Sequence, residues 1–175
     1  MQLIETSPAT FSGSCSDDLI LSKLYLASVL QELGHTQFNK IYNLGSWYGT
    51  LAPILSHQGI EFKQFVNVDR NPDLVKKAQA VSKYFGLDDI TKHLTGDANF
   101  LRYKQPSLII NCSCNNIDDV EWFNRIPRGT LVALQTRDNP KFKISFPLTE
   151  TLHYSKVKLK DPTTKYTRIT KVGIK

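Results

Sequence analysis

The sequence predicts an α/β fold, a doubly wound and mostly parallel sheet that finishes in a C-terminal antiparallel β hairpin. Three observations lead there. Short apolar runs at residues 40–44, 64–68, 90–94, 108–111 and 130–135 alternate with segments that read as helices. Strands separated by helices run parallel, with right-handed crossovers and helices on both faces of the sheet. Helix starts and stops are marked by local chemistry. Asn71-Pro72-Asp73 offers an N-cap followed by proline at the first helical position, and Gly34, Gly59 and Gly86 stand where helices should end. After residue 140 the pattern changes. Residues 151–160 and 165–174 alternate in Thr, Val, Ile, Tyr and Lys around Asp161-Pro162-Thr163-Thr164, which is a hairpin signature.

Each element follows from its own residues. Residues 1–16 are turn-rich (Ser7-Pro8, Ser12-Gly13-Ser14) and read as an irregular N-terminal segment. Ser16 is a suitable cap for the first helix, and Asp17 and Asp18 favour its positive end. Leu19, Ile20, Leu24, Leu26, Ala27, Leu30 and Leu33 then recur at roughly helical spacing. Residues 40–44 form the first strand, 50–58 a short helix, 64–68 the second strand and 73–85 the next helix. The third strand, near 90–94, is followed by Gly96-Asp97-Ala98, and the fourth ends at Asn111. Residues 117–124 read as a helix capped by Asn115 or Asn116. Pro127-Arg128-Gly129 turns the chain into the fifth strand, 130–135. The terminal hairpin, residues 150–175, adds one antiparallel strand at or near a sheet edge.

A chain of 175 residues is expected to form one domain, 1–175, large enough to bury a core without metals or disulfides. With 41% apolar and 22% charged residues it lacks the bias of disordered or fibrous sequences. Met1-Gln2-Leu3-Ile4-Glu5-Thr6 lacks the basic and apolar regions of a signal peptide, and no apolar run approaches the length of a membrane span. Three cysteines, Cys15, Cys112 and Cys114, are an odd number, and two are one residue apart. That favours reduced thiols. A cytoplasmic protein with no membrane partner is therefore expected. The net charge of +6 is uneven: residues 1–140 hold 13 Lys and Arg against 14 Asp and Glu, while residues 141–175 hold 9 against 2. These lysines either face a polyanion such as nucleic acid or protect an exposed edge strand.

The most informative segment is Asn43-Leu44-Gly45-Ser46-Trp47-Tyr48-Gly49. A strand, a glycine turn, a helix and a second strand ending in the carboxylate Asp69 form the layout of a nucleotide-binding, Rossmann-like βαβ unit. Together with Gly96-Asp97-Ala98, these residues resemble the class I S-adenosylmethionine-dependent methyltransferases over roughly residues 16–175. In that family the first strand ends in an acidic-x-Gly-x-Gly-x-Gly loop at the methionine part of the cofactor. An acid after the second strand holds the ribose hydroxyls, and a polar residue after the third lies near the adenine. The resemblance thus implies S-adenosylmethionine as cofactor and Asn43, Gly45, Trp47, Gly49, Asp69 and Asp97 as the positions that bind it. Two of these depart from the pattern. Asn43 replaces the acid and brings no negative charge, and Trp47 replaces the middle glycine. Trp47 and Tyr48 either cap the cofactor or fill a closed pocket. A dinucleotide dehydrogenase is the competing reading of Asp69. The chain has no G-x-G-x-x-G run, however, and no room for a separate substrate domain.

Ligands of open α/β sheets bind outside the carboxyl ends of the strands. There the family's amino-methyltransferases carry an Asn/Asp-Pro-Pro-aromatic motif. Asn111 matches its first residue, while Cys112-Ser113-Cys114 replaces the rest, so the resemblance implies a catalytic position at Asn111 alone. If the acceptor must lose a proton, Asp138 is the candidate base, with Asp118 as the other. Arg137-Asp138 either binds an acidic substrate or forms a surface ion pair. His35, His57, His93 and His153 are scattered, and Cys112 and Cys114 have no partner cluster, so no metal is expected. The two cysteines are either buried structural thiols or, less expectedly, a nucleophile. The implied function is methylation of a small-molecule or nucleic-acid acceptor. The alternative is a noncatalytic binding or interaction protein of the same fold, contacting nucleic acid through its basic hairpin.

Overall fold

The computed structural model describes residues 17–114, 116–117, 120–138, 146–158 and 167–175. The expected Ser16 cap, Cys15, Asn115, Asp118 and the hairpin turn at 161–164 lie outside the described residues. Helix α1 (Asp17–Glu32) leads into strand β1 (Gln37–Leu44), helix α2 (Leu51–His57), strand β2 (Glu61–Asp69) and helix α3 (Pro72–Tyr84). Strand β3 (Thr91–Thr95), a 3-10 turn (Ala98–Phe100), strand β4 (Leu108–Asn111), helix α4 (Val120–Asn124) and strand β5 (Leu131–Arg137) follow. Strands β6 (Glu150–Val157) and β7 (Arg168–Ile174) complete a seven-stranded sheet of order β3-β2-β1-β4-β5-β7-β6.

Strands β1 to β5 are mutually parallel, and β7 is antiparallel to both of its neighbours, β5 and β6. The predicted hairpin is present, and its second strand is the one inserted into the sheet while its first forms the edge. Burial follows that placement. In β7 five of the seven residues are buried, whereas no residue of β6 is. Gly173 lets the two strands approach, because a Cβ there would run into the Glu150 carbonyl oxygen beside a bulge at Thr151/His153.

The apolar runs are continuous because both faces of the sheet are covered. Ile41, Phe65, Ile110 and Ala133 pack with α1 and α2 on one face, against Leu26, Leu30, Leu51 and Leu55. Their chain neighbours Tyr42, Val66, Ile109 and Val132 pack on the other face, with Trp122 and Phe123 of α4 and with Phe146. At α3 the cap reads as the sequence predicts. Asn71 Oδ1 accepts from the Asp73 backbone N–H at 2.9 Å, and Pro72 opens the helix. Strands β1 and β2 begin three residues earlier than the apolar runs, because their first residues continue the ladder, and the Gln37 side chain also donates to the Glu61 carboxylate.

Replacing the fully buried Phe65 with alanine should cost about 3–5 kcal/mol of unfolding free energy, measured by urea titration. Asn71→Ala should cost about 1 kcal/mol in the same measurement.

Candidate functional site

The strand order reverses between β1 and β4, so the loops leaving these two strands diverge to α2 on one face and α4 on the other. A crevice at such a switch point is where open α/β sheets hold their ligands. The loop after β1 shapes one wall. Gly45, Trp47 and Gly49 all have left-handed backbones, with φ of 62°, 52° and 68°. Every second residue of the turn is thus in a conformation natural to glycine, and Trp47 is held there at an expense of roughly 1–2 kcal/mol. Three hydrogen bonds hold it. The Trp47 N–H donates to Asp69 Oδ2 (2.9 Å), the Ser46 N–H to the Val68 carbonyl (3.0 Å) and the Gly49 N–H to the Ser46 carbonyl (2.8 Å). Gly49 also needs its missing side chain, since a Cβ would lie 3.0 Å from both Ala78 and Asn67.

Asp69 closes β2 and faces this loop. Its Oδ1 accepts from the Asn71 N–H at 3.0 Å while Oδ2 holds Trp47, which leaves about two of a carboxylate's four acceptor positions open. A cavity beside it is lined by Gly45, Val68, Asp69, Arg70, Gly96, Asp97, Ala98 and Ile117. The predicted residues Gly45, Asp69 and Asp97 therefore share one cavity. Trp47 reaches Asp69 through its backbone, and its ring packs edge-on against Tyr48 with centroids 5.6 Å apart. Gly49 lies against α3. Asn43 is buried below the loop, where its Nδ2 donates to Asn67 Oδ1 at 3.0 Å.

The cavity measures only about 20 Å³, room for roughly one water, against ~300–1,000 Å³ for a small-molecule pocket. Two features narrow it. A Cβ on Gly45 would lie 3.0 Å from Ile117 Cδ1 and 3.1 Å from Ser113, so the loop after β4 rests directly on the glycine turn. Across the cavity, Arg70 approaches Asp97 at 3.6 Å, while Asp97 Oδ1 accepts from the Asn99 N–H. The sequence carries no signal for Ile117 or Arg70 beyond their following a strand.

Asn111, fully buried at the end of β4, organises that loop. Its Oδ1 accepts from the Ser113 N–H at 2.9 Å, and its Nδ2 donates to the Ile117 carbonyl at 3.3 Å. Both ends of the amide are thereby engaged in setting the position of Ile117. Asp138 sits elsewhere, just past β5. Its N–H donates to the Thr167 carbonyl, and its carboxylate pairs with Lys156 of β6. It is not among the residues that line the cavity. Cys112 Sγ donates to Gln135 Oε1, and Gln135 in turn donates to the Ser22 carbonyl and Thr170 Oγ1. Burial pushes the Cys112 thiol up to about 11 against the opposing pull of Lys23 and Arg168, and burial raises Cys114 further. Both belong to the packing of β4 against its neighbours.

Solved structures align with this arrangement over most of the chain. An RNA methyltransferase from Salinibacter ruber, in complex with S-adenosyl-L-homocysteine, matches with a TM-score of 0.59 and 20% identity over 90% of each chain. TrmN from Thermus thermophilus matches with a TM-score of 0.64 and 18% identity, over 88% of this chain and 52% of that one. The fold is that of the class I S-adenosylmethionine-dependent methyltransferases. A putative methyltransferase of this kind from Methanococcus maripaludis matches with a TM-score of 0.58 and 15% identity, over 77% and 67% of the two chains. The chain thus spans nearly all of the Salinibacter protein and about half the length of TrmN. No protein-family profile and no curated protein matches the sequence.

Gly49→Ala should destabilise the protein by more than about 1 kcal/mol in urea unfolding, because alanine resists positive φ and its methyl meets Ala78 and Asn67. A raised thiol pKa means less thiolate at any given pH below it. Iodoacetamide at pH 8 should therefore alkylate Cys112 about 100-fold or more slowly than a free thiol, with the rate rising until the pH passes about 11. Peptide mapping by mass spectrometry at several pH values checks this.

Proposed function

We propose that the chain binds S-adenosylmethionine in the crevice between the glycine turn, Asp69 and Asp97, and methylates an acceptor at the carboxyl end of the sheet. The observation that carries this reading is the Asp69 carboxylate, which ties the turn's backbone to the end of β2 and keeps acceptor positions for a pair of ribose hydroxyls. The residues present fit an adenosine: a carboxylate for the diol, a second carboxylate at Asp97 beside Gly96, and a glycine at position 45 on which Ile117 and Ser113 now rest. Bound there, S-adenosylmethionine would supply a methyl group activated by its sulfonium.

Widening the cavity is inexpensive at one end. Arg70 is 65% exposed, so its pairing with Asp97 contributes at most about 1 kcal/mol and opens readily. At the other end Ile117 must withdraw from Gly45, and Asn111 positions it through the loop's backbone. The acceptor class we favour is nucleic acid, supported by the basic net charge and by the RNA methyltransferase among the similar structures. Part of the hairpin's basicity is already engaged, since Lys156 pairs with Asp138. As a base, Asp138 would serve only an acceptor lying over β5 and β6, and it would first have to leave Lys156.

The small cavity favours a second reading, a noncatalytic protein of the same fold whose crevice stays shut. Calorimetry with S-adenosylmethionine and S-adenosylhomocysteine separates the two. Binding is expected, weakened about 10- to 100-fold by Asp69→Ala, as loss of a charged hydrogen-bonding group implies. Ile117→Ala should tighten it. Absence of binding at millimolar ligand by both the natural chain and Ile117→Ala would leave the noncatalytic reading.

A further inference from the structure

After the 3-10 turn the backbone is extended at Leu101, and burial alternates from Phe100 to Lys104. Leu101 and Tyr103 point inward, packing on or within the core cluster around Trp122 and Phe123, and Tyr103 meets Tyr42 edge-on. Phe100, Arg102 and Lys104 point outward and are exposed, Phe100 by 78%. A fourth group joins from the side. Arg125, exposed at the end of α4, lies near enough to Tyr103 for its charge to act on the phenol. Among the described residues none of these three cations is in an ion pair.

The row has a direction. It starts two residues after Ala98, which lines the cavity, and runs on beside Leu101 and Tyr103, which pack with Trp122 and Phe123 of α4. An aromatic ring exposed at one end, followed by exposed cations, is the pattern of a single-strand binding surface. There a base stacks on the ring and the backbone follows the charges.

We propose that Phe100, Arg102, Lys104 and Arg125 form a track for single-stranded nucleic acid that leads to the rim of the cavity. This deepens the nucleic-acid reading of the acceptor. It also moves the contact away from the hairpin lysines, where the sequence's charge distribution alone would place it. The phosphate contacts position the strand without reading its sequence.

The test is fluorescence polarisation of the full-length chain with a labelled single-stranded RNA of mixed sequence, and with the same RNA annealed to its complement, across a salt series. The natural chain should bind the single strand more tightly than the duplex. The triple variant R102Q/K104Q/R125Q should lower the salt slope of log K by about 2, as three phosphate contacts on a single strand imply. Phe100→Ala should weaken binding by about 5- to 100-fold. The hairpin variant K156Q/K158Q should change it little. Unaltered binding by the triple variant, loss in the hairpin variant instead, preference for the duplex, or no salt-dependent binding by the natural chain would each overturn the track. Calorimetry with S-adenosylhomocysteine on the same variants keeps the two proposals apart. Failure of cofactor binding with RNA binding intact overturns the methyltransferase reading alone, and intact cofactor binding also shows that each variant is folded.

Discussion

The hydrogen bond from the Trp47 N–H to Asp69 is the contact on which the carboxyl end of this sheet depends. A turn with left-handed backbone at 45, 47 and 49 is strained at its centre, where tryptophan stands. It persists only where the surroundings over-determine it. Asp69 supplies that determination from the neighbouring strand, and the Ser46 bond to Val68 repeats it one residue earlier. The same carboxylate orders the start of α3 through Asn71, whose own side chain caps the helix. One side chain therefore coordinates a turn, a strand end and a helix start, and the first two border the same crevice.

The opposite wall of the crevice is built on Asn111. A fully buried amide must satisfy both its oxygen and its nitrogen, and Asn111 does so within the next six residues of its own chain. The loop that results rests Ile117 on Gly45. Width at this point is a matter of apolar contact more than of buried charge, since Arg70, which pairs with Asp97 at the rim, is exposed. Under the proposed function, widening the crevice would take a rearrangement of a few side chains and one loop, while the sheet beneath it is packed on both faces.

Much of the fold was legible in the sequence because its signals are local. Continuous apolar runs, glycines at helix ends and the Asn71-Pro72 start each act within a few residues, and each element appears within a few residues of its predicted place. The glycine turn and Asp69 were legible for the same reason, as a chain-order pattern. The place of Ile117 outside α4 was not legible. Ile117 and Asn116 precede the helix because backbone and Asn111 hydrogen bonds hold them in the loop, which spacing alone does not reveal. The role of Asn43 was also out of reach, since its partner Asn67 is brought alongside only by strand pairing.

By itself the sequence determined the alternation of strands and helices, the terminal hairpin and the grouping of a glycine turn with two carboxylates. Those follow from periodicity and from residue types that control φ or accept hydrogen bonds. Only the tertiary structure decided that β7 lies between β5 and β6, since hairpin residues carry no address for the strand they join. It likewise decided that Asp138 meets Lys156 rather than the cavity, and that Ile117 and Arg70 set the cavity's width. Such facts depend on which loops the sheet brings together at its carboxyl edge, across separations that no local pattern encodes.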